Sequence, residues 1–306
     1  MEPTSRASAF RLGDVVHDIT TRTLVMGILN RTPDSFYDRG ATFGLDDLLR
    51  RAESLAADGA DLLDVGGVKA GPGPEVSEAE ELDRVVPTIE ALRARVDVAI
   101  SVDTWRASVL DAACVAGAVV GNDISGFADD DYLPVAARHG ASVVATHIRL
   151  APRVPDPDPH YDDLVGDVRS FLVERARRAE SLGMTRERIS IDAGLDLGKT
   201  PAMSAVLLRE SAVLADTGYT LLLSASNKRF LGDLLALEID DRRDASLSAV
   251  AYGVLHGCRI VRVHDVAGTV RVCRTVEAIL DAGRLVPEHP VPEHPVSDHG
   301  AVGTAP

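Results

Sequence analysis

Eight separated points of this chain place polar side chains directly after short apolar runs: Asn30, Asp64, Asp103, Asn122, His147, Asp192, Ser226 and the pair Arg262/His264. Their chemistry falls into two groups. Asp103, Asn122, Asp192 and Lys228 supply two carboxylates, an amide and an ammonium. Such a set suits a flat nitrogen heterocycle whose edge mixes N–H donors with carbonyl and ring-nitrogen acceptors, because carboxylates take the donors while amide and ammonium meet the acceptors. Asn30, Arg262 and His264 suit a diphosphate instead, with Mg2+ beside Asn30. One polar residue after a strand has a plainer use as the cap of the next helix. A whole series does not, because apolar or glycine endings would serve stability equally well.

The elements that must position these groups alternate. Apolar strand segments are expected at Leu24–Leu29, Asp61–Val65, Ala99–Val102, Val119–Asn122, Ser142–Thr146, Ile189–Asp192, Thr220–Ser224 and Arg259–Val263. Helical periodicity falls between and after them, at 45–58, 77–94, 106–116, 130–139, 162–182, 202–216, 245–257 and 266–282. Ser77 with Glu80 forms a capping box, and Gly59, Gly117, Gly140, Gly183 and Gly218 stand where helices end. Eight strand signals alternating with eight helices specify a parallel sheet. A closed (β/α)8 TIM barrel fits that count better than an open doubly wound sheet. A hairpin over Phe10–His17, turning at Gly13-Asp14, precedes it. The expected organisation is a mobile end at 1–9, one domain at 10–284 and a disordered Pro/His-rich tail at 285–306.

Composition narrows the function. The net charge of −15 argues against nucleic acid or an anionic membrane as partner. No apolar run reaches the ~20 residues of a membrane helix, and no leader is evident, so a cytoplasmic protein is expected. Cys114, Cys258 and Cys273 sit in apolar surroundings without disulfide or zinc spacing. Lysine occurs only as Lys69, Lys199 and Lys228, each in an expected loop. Gly198-Lys199-Thr200 is not a phosphate-binding P-loop, because position 193 holds Ala where glycine is required.

The stretch Met26–Phe36, in which an apolar strand breaks into Asn30-Arg31-Thr32-Pro33-Asp34-Ser35-Phe36, resembles the first signature of the dihydropteroate synthases. These enzymes join a pterin to p-aminobenzoate in folate synthesis. Ser101–Thr104, Gly121–Gly126, Ile191–Thr200, Ser226-Asn227-Lys228 and Arg262–Val266 resemble the later motifs, in order, from about 24 to 282. The resemblance implies a TIM barrel in which Asp103, Asn122, Asp192 and Lys228 bind the pterin. It implies that Arg262 and His264 act at the pyrophosphate end and Asn30 at the metal and diphosphate. Mg2+ and a homodimer built through the later helices are also implied.

The match breaks after the second strand. The family's Gly-Gly-Glu-Ser-Thr-Arg-Pro-Gly is here Gly66-Gly67-Val68-Lys69-Ala70-Gly71-Pro72-Gly73. Gly71 stands for the arginine that closes over the pyrophosphate, and Ala70 for the threonine near p-aminobenzoate. Ala193, Asp196, Leu197, Ser204 and Asn227 also depart from the family pattern. The pterin end is kept while the second-substrate end, where Lys69, Pro72, Leu197 and Ser226 are expected, is rebuilt. Arg31 and Lys69 are candidates to return positive charge to the diphosphate. The reaction expected is pterin transfer from its diphosphate to an arylamine. The alternatives are a pterin-binding paralogue with little turnover, or the same transfer to another amine.

Overall fold

The structure is a computed structural model and describes residues 6–32, 44–71 and 73–285. A hairpin of β1 (Ala9–Leu12) and β2 (Val15–Asp18) comes first. Eight strands then form a closed parallel barrel: β3 (Leu24–Asn30), β4 (Leu62–Gly66), β5 (Ala99–Asp103), β6 (Val120–Asp123), β7 (Ser142–Thr146), β8 (Ile189–Asp192), β9 (Thr220–Leu223) and β10 (Cys258–Val263). The circuit closes where β10 pairs with β3. The helices are α1 (Leu45–Ala57), α2 (Glu78–Arg93), α3 (Ala107–Ala116), α4 (Tyr132–His139), α5 (Leu164–Ser181), α6 (Pro201–Arg209), α7 (Ser211–Ala215), α8 (Arg229–Leu235), α9 (Arg243–Leu255) and α10 (Val266–Leu285). Connecting loops are numbered below by the barrel strand they follow, so loop one follows β3 and loop seven follows β9.

The expected barrel and hairpin are both present. One expected helix, 202–216, is two, because the chain leaves helical geometry at Glu210 (φ −91°, ψ 20°). Helix α8 was not expected from the sequence, since seven residues are too few to display a period. The five glycines expected behind helices all adopt positive φ. Ser77 and Thr200 cap α2 and α6 with their side chains, and Pro201 follows Thr200 at the first turn, where its missing N–H costs nothing.

Alternation along each strand divides the core in two. Val25, Leu29, Leu63, Val65, Ile100 and Val102 face outward and pack under the helices. Leu24, Met26, Leu62, Val120, Val144, Leu222 and Ile260 face inward, and Phe10, Leu12 and Ile19 of the hairpin region pack against them. Burying Phe10 and Ile19 completely contributes about 1.5–3 kcal/mol each. Ser142 Oγ also donates to Arg11 O at 2.6 Å. The hairpin therefore closes the N-terminal end of the barrel. Residues 6–9, expected in a mobile end, take part: Arg6 pairs with Asp216 and Ala9 opens β1. The expected tail lies outside the described residues beyond 285.

Candidate active site

The same alternation brings polar groups inward one layer higher. Asn30, Gly66, Asp103 and Asn122 are consecutive register partners across β3, β4, β5 and β6. Register partners in parallel strands project to the same face, so these four converge at the C-terminal mouth of the barrel. Gly66 keeps the space between its neighbours open. A Cβ there would lie 3.3 Å from Asn30 Oδ1 and 3.6 Å from Asp103 Cβ.

Below them runs a charged network. Arg262 donates Nε to Asp64 Oδ2 at 2.6 Å and Nη2 to Asp103 Oδ2 at 2.8 Å. Asn122 donates Nδ2 to Asp64 Oδ2 at 3.0 Å. Burial works against the Arg262 charge, but Asp64 and Asp103 overcome it and hold the guanidinium charged. Burial pushes the Asp103 carboxyl up to about 7, with Arg262 opposing the shift. Arg262 was expected at the diphosphate, and it does border the cavity described below. Its two described contacts are with carboxylates, so it chiefly organises the floor.

Loop six supplies the next wall. Asp192 is buried, and its Oδ1 accepts from Gly194 N at 2.8 Å; burial raises its pKa. Gly194 holds φ +65°, and a Cβ there would fall 1.9 Å from His147 O, so only glycine allows this turn. Lys228 crosses from loop seven and donates Nζ to Leu195 O at 2.9 Å. Beside it, Lys199 is buried and donates Nζ to His147 Nδ1 at 2.8 Å and to Leu197 O at 2.9 Å. Desolvation brings Lys199 down to about 7 and His147 to about 3. The imidazole is therefore neutral and accepts at Nδ1.

A cavity of about 560 Å³ stands over this floor. Asn30, Asp103, Arg262, His264, Ser226, Lys228, Lys69 and Leu197 all line it. Asn122 and Asp192 are buried beneath or beside it rather than on its surface. His264 Nδ1 meets Ser226 Oγ at 3.0 Å, and that hydroxyl also accepts from His264 N at 3.2 Å. Arg31 does not line the cavity. Its Nη1 donates to Arg84 O at 2.9 Å and Thr88 Oγ1 at 3.1 Å, over helix α2. The expected charge replacement by Arg31 is therefore not the arrangement seen. Pro72 and the Pro33–Phe36 part of the first motif lie outside the described residues.

The departures at the second-substrate end form mutually satisfied pairs. Asp196 (φ +67°) and Asn227 (φ +57°) hold left-handed backbone, which Asp and Asn tolerate better than most residues. Ser204 Oγ accepts from Asp196 N at 3.1 Å, and the Asp196 carboxylate accepts from Phe230 N at 3.2 Å, capping α8 from a distant loop. Ser246 Oγ accepts from Asn227 N at 2.9 Å. Asp64 lay among the strand ends without an assigned role; its parity with Ile28 and Ser101 in the register was the available signal. His147 was among the strand-end residues, but nothing in the sequence marked its pairing with Lys199 or the loop-five residues described below.

Comparison with known proteins places this geometry. Residues 26–264 match the family model described as "Pterin binding enzyme". The chain is 44% identical over 264 residues to "Inactive dihydropteroate synthase 2" of Mycobacterium leprae, covering 84% of this chain and 91% of the relative. It is 40% identical over 264 residues to the dihydropteroate synthase of Bacillus subtilis, covering 86% and 90%. A crystal structure of the Yersinia pestis dihydropteroate synthase with a sulfonamide drug superposes with a TM-score of 0.85 at 38% identity, covering 90% of this chain and 99% of that one.

Proposed function

This chain belongs to the dihydropteroate synthase family of pterin-binding enzymes, transferases of folate biosynthesis, and on that premise we propose that its cavity takes a hydroxymethyl-dihydropterin diphosphate and transfers the pterin methylene to an arylamine, p-aminobenzoate in the family, releasing pyrophosphate. The observation that carries the reading is the convergence of Asp103, Asn122, Asp192 and Lys228 at one end of one barrel. The carboxylates accept from the pterin's ring N–H and amino groups, and Asn122 and Lys228 donate to its carbonyl and ring nitrogen. Arg262 holds Asp103 in place through their ion pair.

The C–O bond to the diphosphate lengthens as the amine attacks, so positive charge gathers on the methylene and negative charge on the leaving group. Donors already aimed at that negative charge lower the barrier without reorganising. His264 and Asn30 serve here, with Lys69 the loop-two cation on the cavity. Leu197 and Ser226 border the acceptor's half. An arylamine is neutral at pH 7 and attacks without a strong base; the proton its nitrogen sheds after the C–N bond forms passes to the departing pyrophosphate or to solvent.

Mg2+ fits this donor set as the diphosphate's counter-ion, where it would neutralise leaving-group charge beside the Asn30 amide oxygen. Among the described residues no three His, Cys, Asp or Glu cluster to hold a metal alone. A homodimer is supported by the exposed Leu255, Ile279 and Leu280 on α9 and α10. A cytoplasmic setting belongs to the same reading; no described helix is long and apolar enough to cross a membrane.

A second reading, a pterin-holding protein with little turnover, is favoured by Ala70 and Gly71 and by the inactive mycobacterial relative. Calorimetry with the pterin diphosphate, followed by pyrophosphate release with and without p-aminobenzoate, separates the readings. Binding with release supports the transferase. Binding without release supports the second reading. Release only with another amine moves the acceptor, and absence of binding overturns both.

A further inference from the structure

Arginines from three other elements take backbone carbonyls of loop two. Arg84 of α2 donates Nη1 to Gly67 O at 2.7 Å, and Arg106, just ahead of α3, donates Nη2 to Val76 O at 2.8 Å. These two hold the ends of the segment. Arg153, from loop five, holds its middle. Its Nη1 donates to Lys69 O at 3.0 Å and its Nη2 to Pro74 O, one carbonyl on each side of the Ala70–Gly73 stretch.

The anchor behind Arg153 is itself braced. Arg149 and Asp156 form a two-point ion pair inside loop five, and Tyr161 donates its hydroxyl to Gly198 O at 2.8 Å, tying loop five to loop six. Arg153 adopts φ +65°, which side-chain-bearing residues seldom hold. Its planar guanidinium fork holds two carbonyls at a fixed spacing, where a lysine would offer a single point charge. Arg153 does not line the cavity, whereas Lys69, whose carbonyl it holds, does. The Lys69 side chain lies over Gly71, with Cε 3.9 Å from where a Cβ on that glycine would stand.

We infer that Arg153 is a positioning residue of this site: by clamping loop two from loop five, it sets Lys69 at the edge of the cavity where the diphosphate collects. The inference rests on the pterin-diphosphate reading above. It also assigns loop five a specific task, the bridging of loops two and six across the mouth.

The test is calorimetry on the whole chain with two ligands, the pterin diphosphate and the same pterin bearing a hydroxymethyl group without diphosphate. Arg153→Ala is expected to weaken the diphosphate ligand about tenfold, the scale of one misplaced charge-assisted contact. The plain pterin should change less than about twofold. Arg153→Gln, which retains one donor group, should fall between and serves if the alanine variant folds poorly. Lys69→Ala combined with Arg153→Ala should lose no more than Lys69→Ala alone, and amide exchange over 68–76 should speed up in both Arg153 variants. Equal weakening of the two ligands, additive losses, or unchanged affinity would overturn the inference. Wild-type binding of the plain pterin without any gain from the diphosphate would overturn it while leaving the pterin site standing. Failure of the wild type to bind either ligand would overturn the functional reading, and this inference with it.

Discussion

Restoring the missing arginine should restore rate. Gly71 borders the cavity, its φ lies outside the left-handed region, and among the described residues a Cβ built there would meet only the Lys69 side chain, at 3.9 Å. A side chain at position 71 can therefore start from this backbone without strain and without a clash of its Cβ against the described residues. A preorganised donor facing a developing anion is worth about 2.7–4 kcal/mol in an enclosed site. Gly71 is partly exposed, so solvent screens the new charge and about 2 kcal/mol is the better figure. At 1.36 kcal/mol per decade that is roughly a 30-fold rise in kcat. The assay is pyrophosphate release at saturating pterin diphosphate and p-aminobenzoate, comparing the native chain with Gly71→Arg and with Ala70→Thr/Gly71→Arg. The double variant should add a lower KM for p-aminobenzoate. If Gly71→Arg binds the diphosphate normally, melts normally and releases pyrophosphate no faster, loop two is not what limits this protein.

Three other outcomes follow from the site. Asp64→Asn removes the charge facing Arg262 and should cost about 3 kcal/mol in urea denaturation; a loss under about 1 kcal/mol would show that Asp103 alone suffices. Gly194→Ala drives a Cβ into His147 O and should abolish pterin binding measured by calorimetry while lowering Tm; normal binding would mean loop six shifts freely. Asp103 titrates near 7 in the folded chain, above its unfolded value, so its contribution to stability is full below about pH 4 and is lost as pH rises through 7. Ligand affinity runs the other way, because the pterin's N–H groups need the ionised carboxylate. Affinity should rise between about pH 6 and 8, by up to about tenfold per unit below 7, and Asp103→Asn should flatten the profile. A flat native profile would remove Asp103 from the ligand contact.

Much of this site was legible because barrel geometry is simple. Short apolar runs of fixed parity, each ending in a polar residue, can only aim those residues at one mouth. Parity also held a warning about Arg31. Consecutive residues in extended chain face opposite sides, so an inward Asn30 sends Arg31 outward, onto α2. The ion pair between Asp64 and Arg262 was hidden because the residues stand 198 positions apart and meet only through barrel closure. The same holds for Arg153 and loop two, joined across 84 positions by backbone carbonyls, which carry no residue identity to read. The pairing of Asp196 with Ser204 explains why those two departures occur together, something a position-by-position comparison records as separate losses.

The hairpin packs against inward side chains that already fill the lower barrel, so among the described residues the site opens only at the upper mouth. With a single doorway, whatever occupies the deepest berth must arrive before its neighbour and depart after it. On the proposed reading the heterocycle that reaches Asp103 and Asn122 boards first, the amine takes the outer seat, and the joined product leaves by the route both came in. A tightly held product would block the next arrival, so on this reading slow exit would lower how often the vessel is refilled.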